Sequence, residues 1–310
     1  MTEPIRFDGR TVIITGAGRG IGEAHAFAFA ERGAKVVVND LGGDRDGGGA
    51  SSRPATTVVA AIRRAGGEAV ADFGDISGPE GAERLVETAL AAFGRVDVVV
   101  NNAGIYHQGT PFAETTLVHF EKFWRVHVGG AVNVTKAAWP HFLSQGSGRV
   151  INTGSCGGFY GQPGALAYSS AKAAIHGFTV ALALEGIAHD IHVNEVAPAA
   201  LTRMADEVAE GEQREALSRI LSADYVSPLV LWLAHDSCPA NGETYEAGAG
   251  RVGRVWIGET AGMWDFAPTP ECIADHLSEI SDRSGMYFPT DAVAYADWLV
   301  QGYLTHQGSS

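Results

Sequence analysis

A glycine-rich turn between an apolar strand and a helix dominates the start of the chain. Residues 10–15 and 34–40 are short β-branched runs that predict two buried strands, and the alanine-rich residues 23–33 predict a helix between them. Glycines in the intervening turn, TGAGRGIG at 15–22, let a backbone approach a pyrophosphate, which the free N–H groups of the helix then bind. The context of strand, turn and helix therefore predicts a dinucleotide site. Its candidate contacts are Gly16, Gly18, Arg19, Gly20 and Ile21, with Gly22 completing the motif.

Asp40 ends the second predicted strand, 24 positions after Gly16. A carboxylate at that place accepts hydrogen bonds from the ribose hydroxyls of an adenosine and repels a 2′-phosphate, which favours NAD over NADP. Arg19 and Arg45 argue the other way, because arginine suits phosphate. The alternative for Asp40 is an ordinary turn carboxylate.

Strands and helices go on alternating, which predicts an α/β fold with a parallel, doubly wound sheet. We expect a surface loop at 42–56, helices at 56–65 and 79–93, a strand at 68–75 closed by Asp75 and Ile76 beside the adenine, and a strand within 95–104. Asn102, Ala103 and Gly104 at the end of that strand are predicted to form the floor of the cofactor site and to bond the neighbouring backbone.

Ser155, Tyr168 and Lys172 form the candidate catalytic group. Residues 149–153, RVINT, predict a buried strand, so Ser155 lies just past its carboxyl end, where open α/β sheets place their chemistry. The spacing of four between Tyr168 and Lys172 puts both on one face of a helix. A phenol has a pKa near 10, and a fixed ammonium lowers it, so that the phenol can exchange a proton with an alcohol or ketone. The alternative is an ordinary helix pair with Ser155 as a helix cap.

The second half continues the same pattern and then changes. The predicted elements are a long or kinked helix at 114–143 that carries His127, a helix at 168–187, a strand at 190–198, a mobile substrate loop with a polar helix at 197–225, a helix at 227–235 and a last strand at 242–250. We expect one domain at 1–250 and an extension at 251–310. That extension is predicted to cover the site or a partner subunit, with an appended surface arm as the alternative.

The composition restricts the class of protein. The 310 residues carry a formal net charge of −14, which argues against nucleic acid or an anionic membrane as a main partner. The three cysteines lack C-x-x-C spacing, so we expect neither a disulfide framework nor a metal site, and we expect Cys156 to be a small buried residue. The N-terminus has no apolar signal core, and the expected location is cytoplasmic.

The motifs TGAGRGIG, NNAG, Ser155, Tyr168 and Lys172 follow one another in the order typical of one family. The chain resembles the short-chain dehydrogenase/reductase family over about residues 10–250. The resemblance implies a Rossmann fold and hydride transfer between nicotinamide and a carbonyl or alcohol carbon. It implies that Tyr168 is the acid/base, that Lys172 binds the nicotinamide ribose and lowers the pKa of Tyr168, and that Ser155 polarises the substrate oxygen. Pro198 and Leu201 are its further cofactor contacts.

A narrower resemblance rests on FAERGAKVVVNDLGGDRDG, FWRVHVGGAVNVTKAAWPHF and YVSPLVLWLAHDSCPANGETYEAGAG. These segments are similar to the (3R)-hydroxyacyl-CoA dehydrogenase unit of the peroxisomal multifunctional enzymes, here as a stand-alone dehydrogenase. His127 stands where many family members have an asparagine; it either relays protons or braces the helix. Pro198-Ala199 replaces the usual Pro-Gly.

These observations predict an NAD-dependent enzyme that oxidises a secondary alcohol, with a 3-hydroxyacyl-CoA as the first choice. Glycines near the site leave a steroid or other bulky ketone as the alternative, and a non-catalytic NAD-binding regulator is the third possibility. The resemblance also implies a homodimer or homotetramer. The alanine-rich helices at 114–143 and 168–187 are the candidate contacts between subunits.

Overall fold

The computed structural model describes residues 4–44, 46–106, 109–200 and 211–307. By its internal contacts the chain divides into two compact units, Met1–Arg254 and Val255–Ser310. Residues 201–210 of the predicted substrate loop, Leu201 among them, lie outside the described residues, as does Arg45. Within the described part of that loop lie an α-helix, Gly211–Ile220, and a short 3-10 helix, Ala223–Tyr225.

The first unit is built on an eight-stranded sheet in the order β3-β2-β1-β4-β5-β6-β7-β8. The strands from β3 to β7 pair in parallel. Strands β1 to β8 span, in chain order, Thr11–Thr15, Lys35–Asn39, Glu68–Asp72, Val98–Asn101, Gly148–Thr153, Ile191–Ala199, Thr244–Gly248 and Arg251–Val255. The strand order changes direction at β1: β2 and β3 lie to one side of it, and β4 and the later strands lie to the other. The carboxyl ends of β1 and β4 therefore form the switch point where such sheets bind ligands. This arrangement confirms the predicted doubly wound α/β class.

Helices cover both faces of the sheet because its central strands are apolar on both sides. In β1, Ile13 packs into one core cluster, while Val12 and Ile14 pack into the other, as the two-residue period of a strand requires. Helices α1 to α9 span Gly20–Glu31, Arg53–Arg64, Pro79–Phe93, Leu117–Trp124, Gly130–Gln145, Cys156–Tyr160, Leu166–Gly186, Gly211–Ile220 and Ser227–Ala234. Side chains of α1, α2 and α9 fill one cluster, and those of α3, α5 and α7 fill the other.

Several element boundaries differ from the prediction. Strand β3 ends at Asp72, whose carboxylate accepts from the N–H of Gly74 and turns the chain, so Asp75 and Ile76 lie in the following loop. The predicted helix at 114–143 is broken: α4 and α5 are joined by a π-helical turn, Arg125–Gly129, which carries His127. Such turns often occur at functional sites.

The strand β7 was predicted to be the last, and β8 corrects that prediction. Ala249 and Gly250 both have positive φ, 51° and 76°. A two-residue turn of that kind closes a hairpin, so β8 runs antiparallel to β7. The sequence EAGAGRVGRV hid this turn because an alanine occupies its first position.

One described helix, Leu166–His189, is long and apolar enough to span a membrane by those two measures alone. A core helix passes the same test. In this fold the stretch contributes Ile175 and Ala183 to the buried interior.

None of the described residues of the second unit is fully buried, and half-buried aromatic rings pack together in it. Helices α10 to α12 span Pro270–Asp275, Leu277–Ile280 and Ala292–Gln307. Glu259 and Tyr287 exchange two backbone hydrogen bonds in an antiparallel bridge. The rings of Tyr287 and Trp298, with centroids 4.9 Å apart, pack α12 against this bridge. How the unit acts on the site or on a partner subunit stays a prediction.

Candidate active site

The glycine turn after β1 is packed so closely that side chains do not fit. A Cβ on Gly16, whose φ is +63°, would stand 2.7 Å from Cα of Ala103. A Cβ on Gly18 would stand 2.6 Å from Cβ of Pro54, and one on Gly22 would stand 2.5 Å from the carbonyl oxygen of Gly16. Helix α1 begins at Gly20 rather than at the predicted Glu23. Its first N–H groups therefore face the turn, as an anion site requires.

Asp40 is held at the rim of this turn by backbone amides. Its Oδ2 accepts from the N–H of Gly18 at 2.8 Å, and its Oδ1 accepts from the N–H of Gly42 at 2.6 Å. The Arg19 guanidinium donates to the carbonyl oxygen of Gly43 at 3.4 Å. Asp40 is thus a turn carboxylate, as in the alternative interpretation, and it also lines the central cavity.

The ends of β1 and β4 are tied together by side-chain hydrogen bonds. Thr15 Oγ1 accepts from the N–H groups of Asn102 and Ala103, both at 3.0 Å. Asn102 Nδ2 donates back to the carbonyl oxygens of Thr15 and Gly16, at 2.9 and 3.2 Å. Asn102 therefore bonds the neighbouring backbone, as the sequence predicts, and fixes the floor of the site.

A cavity of about 300 Å³ lies over this floor. Its lining includes most of the predicted site residues: Gly16, Arg19, Gly20, Ile21, Asp40, Asp75, Ile76, Asn102, Ala103, Gly104, His127, Tyr168, Lys172 and Pro198. Gly18 lies beside it, against Asp40. Sequence reasoning missed the lining residues Lys122 and Arg125. Lys122 and Arg125 are three positions apart, and this spacing is the signal that could have placed both on one helical face.

Ser155, Tyr168 and Lys172 meet at the carboxyl end of β5. Ser155 caps helix α6, with its Oγ accepting from the N–H of Gly157 at 3.1 Å, so the cap of the alternative interpretation is present too. Tyr168 lies in the first turn of α7, and Lys172 follows one turn later. Lys172 Nζ donates to the carbonyl oxygen of Thr153 at 2.5 Å and lies 5.8 Å from the ring centroid of Tyr168. Cys156 beside them is exposed, which corrects the prediction of a buried residue.

Burial dominates the charges of this group. It raises the pKa of Tyr168 to about 12, against the lowering effect of a hydrogen bond with Ser155. This is the opposite of the direction predicted from the nearby ammonium, because taking the phenolate out of water costs more than the bond returns. Burial also lowers the pKa of Lys172 to about 8, partly offset by the carboxylate of Glu195. Lys172 therefore remains mostly charged at neutral pH.

His127 is buried against the ring of Tyr168, with ring centroids 5.5 Å apart. Its Nε2 lies 2.9 Å from the carbonyl oxygen of Ile105, a distance at which Nε2–H donates, while Nδ1 has no partner among the described residues. Burial, with the ammonium of Lys172 as the second cause, lowers the pKa of His127 to about 3. A Cβ on Gly104 would stand 2.6 Å from the imidazole Cε1, so that glycine is needed for the ring to fit.

The sequence profile of the short chain dehydrogenases matches residues 10–213. The chain belongs to the short chain dehydrogenase family. That family consists of oxidoreductases that act on a CH–OH group and use a nicotinamide cofactor. The glycine cradle, the free amides of α1 and the Asp40 carboxylate fit such a dinucleotide. When bound, its nicotinamide accepts or donates a hydride.

Curated relatives include peroxisomal multifunctional enzyme type 2 of Mus musculus, which is 46% identical over 293 residues, covering 93% of this chain and 39% of that protein. The peroxisomal hydratase-dehydrogenase-epimerase of Saccharomyces cerevisiae is 41% identical over 90% of this chain and 31% of that protein. The chain thus spans less than half the length of either relative. A short-chain type dehydrogenase/reductase of Mycobacterium tuberculosis is 41% identical and is matched over 95% of its length, with 89% of this chain.

Solved structures show the same architecture. Full-length peroxisomal multifunctional enzyme type 2 of Drosophila melanogaster superposes with a TM-score of 0.79 and 31% identity, covering 97% of this chain and 50% of that one. A 7α-hydroxysteroid dehydrogenase, in complex with NADH and 7-oxo glycochenodeoxycholic acid, superposes with a TM-score of 0.72 and 27% identity, covering 81% of this chain and 98% of that one. Both likenesses agree with a Rossmann-type fold.

Proposed function

We propose that this protein is an NAD-dependent dehydrogenase of 3-hydroxyacyl-CoA thioesters. The observation that carries the proposal is the meeting of Ser155, Tyr168 and Lys172 at one end of the sheet, in a chain whose relatives include hydratase-dehydrogenase enzymes of peroxisomes. The basic side chains of Lys122 and Arg125 line the same cavity. They suit the anionic groups that a dinucleotide and a CoA thioester both carry.

Each catalytic side chain has a role in this reaction. Ser155 donates a hydrogen bond to the substrate oxygen and holds it beside Tyr168. Tyr168 exchanges a proton with that oxygen as the alcohol and ketone interconvert. The Lys172 ammonium favours the phenolate form that exists during this exchange. Because burial alone keeps Tyr168 protonated, we propose that the phenol becomes a useful base only in the complete complex.

The preference for NAD rests on Asp40. Its carboxylate is fixed by the N–H groups of Gly18 and Gly42, so it cannot easily turn away from a ligand in the cavity. A fixed negative charge repels a 2′-phosphate. We expect Asp40→Asn to raise the ratio of kcat/KM for NADP to that for NAD by at least about tenfold. An unchanged ratio would remove Asp40 as the selecting residue.

The substrate is tested by NADH formation with matched (3R)- and (3S)-3-hydroxyacyl-CoA and with free CoA as a competitor. We expect turnover with the (3R) thioester alone, together with inhibition by CoA. Turnover that ignores the thioesters would contradict the assignment, even if another alcohol were oxidised.

A second candidate substrate is a hydroxysteroid. The similarity to the 7α-hydroxysteroid dehydrogenase favours this candidate, since the structure of that protein contains NADH and 7-oxo glycochenodeoxycholic acid. Including a 7-hydroxysteroid bile acid in the same assay separates the two: oxidation of the steroid without inhibition by CoA supports this candidate and excludes the first.

The oligomeric state is a further part of the proposal. Leu117 and Val118 on α4, and Leu184 on α7, are exposed apolar side chains. Helices of this kind suit an isologous contact with a second copy. Light scattering of the purified protein should give the mass of a dimer or tetramer; a monomer at micromolar concentration would contradict it.

A further inference from the structure

Strand β6 carries a fully buried carboxylate at Glu195. Glu195 is paired in register with Asn152 of β5 and Thr244 of β7, so it lies on an interior strand of the sheet. Its Oε2 accepts from Thr244 Oγ1 at 2.8 Å and from His176 Nδ1 at 3.0 Å. Neither the acid/base group nor the cofactor cradle described above includes this residue.

The other carboxylate oxygen points toward the catalytic turn. A Cβ on Gly154 would stand 1.9 Å from Glu195 Oε1, so this oxygen lies directly against the residue that precedes Ser155. Oε1 is buried and has no hydrogen-bond partner among the described residues. Burying a carboxylate costs free energy unless a positive charge compensates it. A buried carboxylate oxygen without a hydrogen bond therefore indicates that such a charge lies nearby.

The compensating positive charge lies on helix α7. Lys172 is buried, and its Nζ donates to the carbonyl oxygen of Thr153, which adjoins Gly154. Tyr168, Lys172 and His176 are spaced by four, so they share one face of α7. That face puts the ammonium of Lys172 one helical turn from the histidine that holds Glu195.

We propose that Glu195 is a positioning residue: its buried carboxylate, fixed by Thr244 and His176, keeps the side chain of Lys172 in its charged form next to Tyr168. Both side chains are buried, and attraction between buried charges persists over longer distances than in water. The influence has the right sign, because Glu195 raises the pKa of Lys172 against the larger effect of burial.

Other groups near this pair contribute to the local field. Tyr168 lies next to Lys172 on α7, and His127 faces it from the π-helical turn, where burial keeps its imidazole neutral at pH 7. His176 contacts the carboxylate itself. Tyr106 and Cys156 are further titratable groups, and both act on Tyr168. Lys122 and Arg125 line the same cavity as Lys172.

The role of the Lys172 charge in catalysis rests on the proposed function. The effect of Glu195 on that charge does not, so it can be tested without substrate. The chain has four lysines, Lys35, Lys122, Lys136 and Lys172. In ¹³C-lysine-labelled protein without cofactor, the Cε resonance of each can be followed as the pH is raised. Lys172→Arg identifies the signal of Lys172 by its loss.

In the wild type we expect the Lys172 signal to titrate near pH 8. In Glu195→Gln, which keeps the shape and loses the charge, we expect it to titrate lower by about one pH unit. Thr244→Val removes a hydrogen bond to the carboxylate but leaves the charge, and should move the signal by no more than a few tenths of a unit. Glu195→Thr is measured in parallel, so that the result does not depend on the folding of one variant.

Two results would overturn the proposal. One is a Lys172 titration that is the same in the wild type and in every folded, uncharged variant at position 195. The other is a shift of the Lys172 titration in Thr244→Val as large as that in Glu195→Gln, which would show that packing alone changes the pKa of Lys172. If the wild type does not oxidise 3-hydroxyacyl-CoA, the substrate assignment is wrong, but the expected titration of Lys172 is unchanged.

Discussion

The position of His127 allows the two roles considered for it, proton relay and brace, to be separated. Its pKa of about 3 lies about four units below neutral pH, so about one ring in 10⁴ carries a charge. A relay through the imidazolium would therefore add about 5 kcal/mol to the barrier at pH 7. The bond from Nε2 to the carbonyl oxygen of Ile105 instead ties the π-helical turn to the loop after β4. We infer a brace.

The test compares His127→Gln with His127→Phe. The glutamine amide can still donate to Ile105, so we expect kcat within about tenfold of the wild type. Phenylalanine keeps the ring but leaves a buried carbonyl without a donor, at a cost of about 1–3 kcal/mol. For a unit of this size each kcal/mol lowers Tm by about 2–4 °C. The assays are NADH formation between pH 5 and 9 and thermal unfolding.

A relay predicts a different outcome. His127→Gln would then lose about 10²–10⁴-fold in kcat with an unchanged Tm, because general acid–base catalysis contributes that much. A limb in the wild-type pH profile between pH 5 and 8 that disappears in His127→Gln would also refute the brace.

Three further perturbations test other parts of the site. Gly18→Ala should raise the Kd for NAD at least about tenfold by calorimetry, because its Cβ would displace Asp40, whereas Gly177→Ala, with open space around it, should not. Ser155→Ala should lower kcat about 10²-fold with the Kd for NAD retained; equal loss of both would contradict its role. Because burial lowers the pKa values of His25 and His127 to about 3, the unfolded chain binds more protons below pH 6.5. The free energy of unfolding in urea should fall between about pH 6.5 and 3, by up to about 5 kcal/mol per histidine; a flat profile would refute this.

Local sequence patterns were sufficient to predict the central strands of the sheet and the catalytic group. β-branched runs bounded by glycine predicted β1, β2 and β5 to within a residue or two, because central parallel strands are apolar on both faces. The spacing of Tyr168 and Lys172 gave their shared helix face. These features depend on neighbours in sequence.

What the sequence did not predict depends on contacts between distant segments. The raised pKa of Tyr168 follows from burial by several elements, so the nearby ammonium alone predicted the wrong direction. Glu195 looked like one polar residue in a strand, and only the register of β6 with β5 and β7 places it under Gly154. Strand β8 required an alanine at positive φ, which no propensity favours.

The central claim is that Tyr168 moves the proton while the cofactor site works independently. Tyr168→Phe removes one hydroxyl and keeps the ring that contacts Tyr106 and His127. The most direct measurement is NADH formation by this variant and the wild type with a (3R)-3-hydroxyacyl-CoA, beside the Kd of each for NAD. We predict that turnover falls by about 10²–10⁴-fold while the Kd stays within about twofold. Turnover at the wild-type rate would contradict the account.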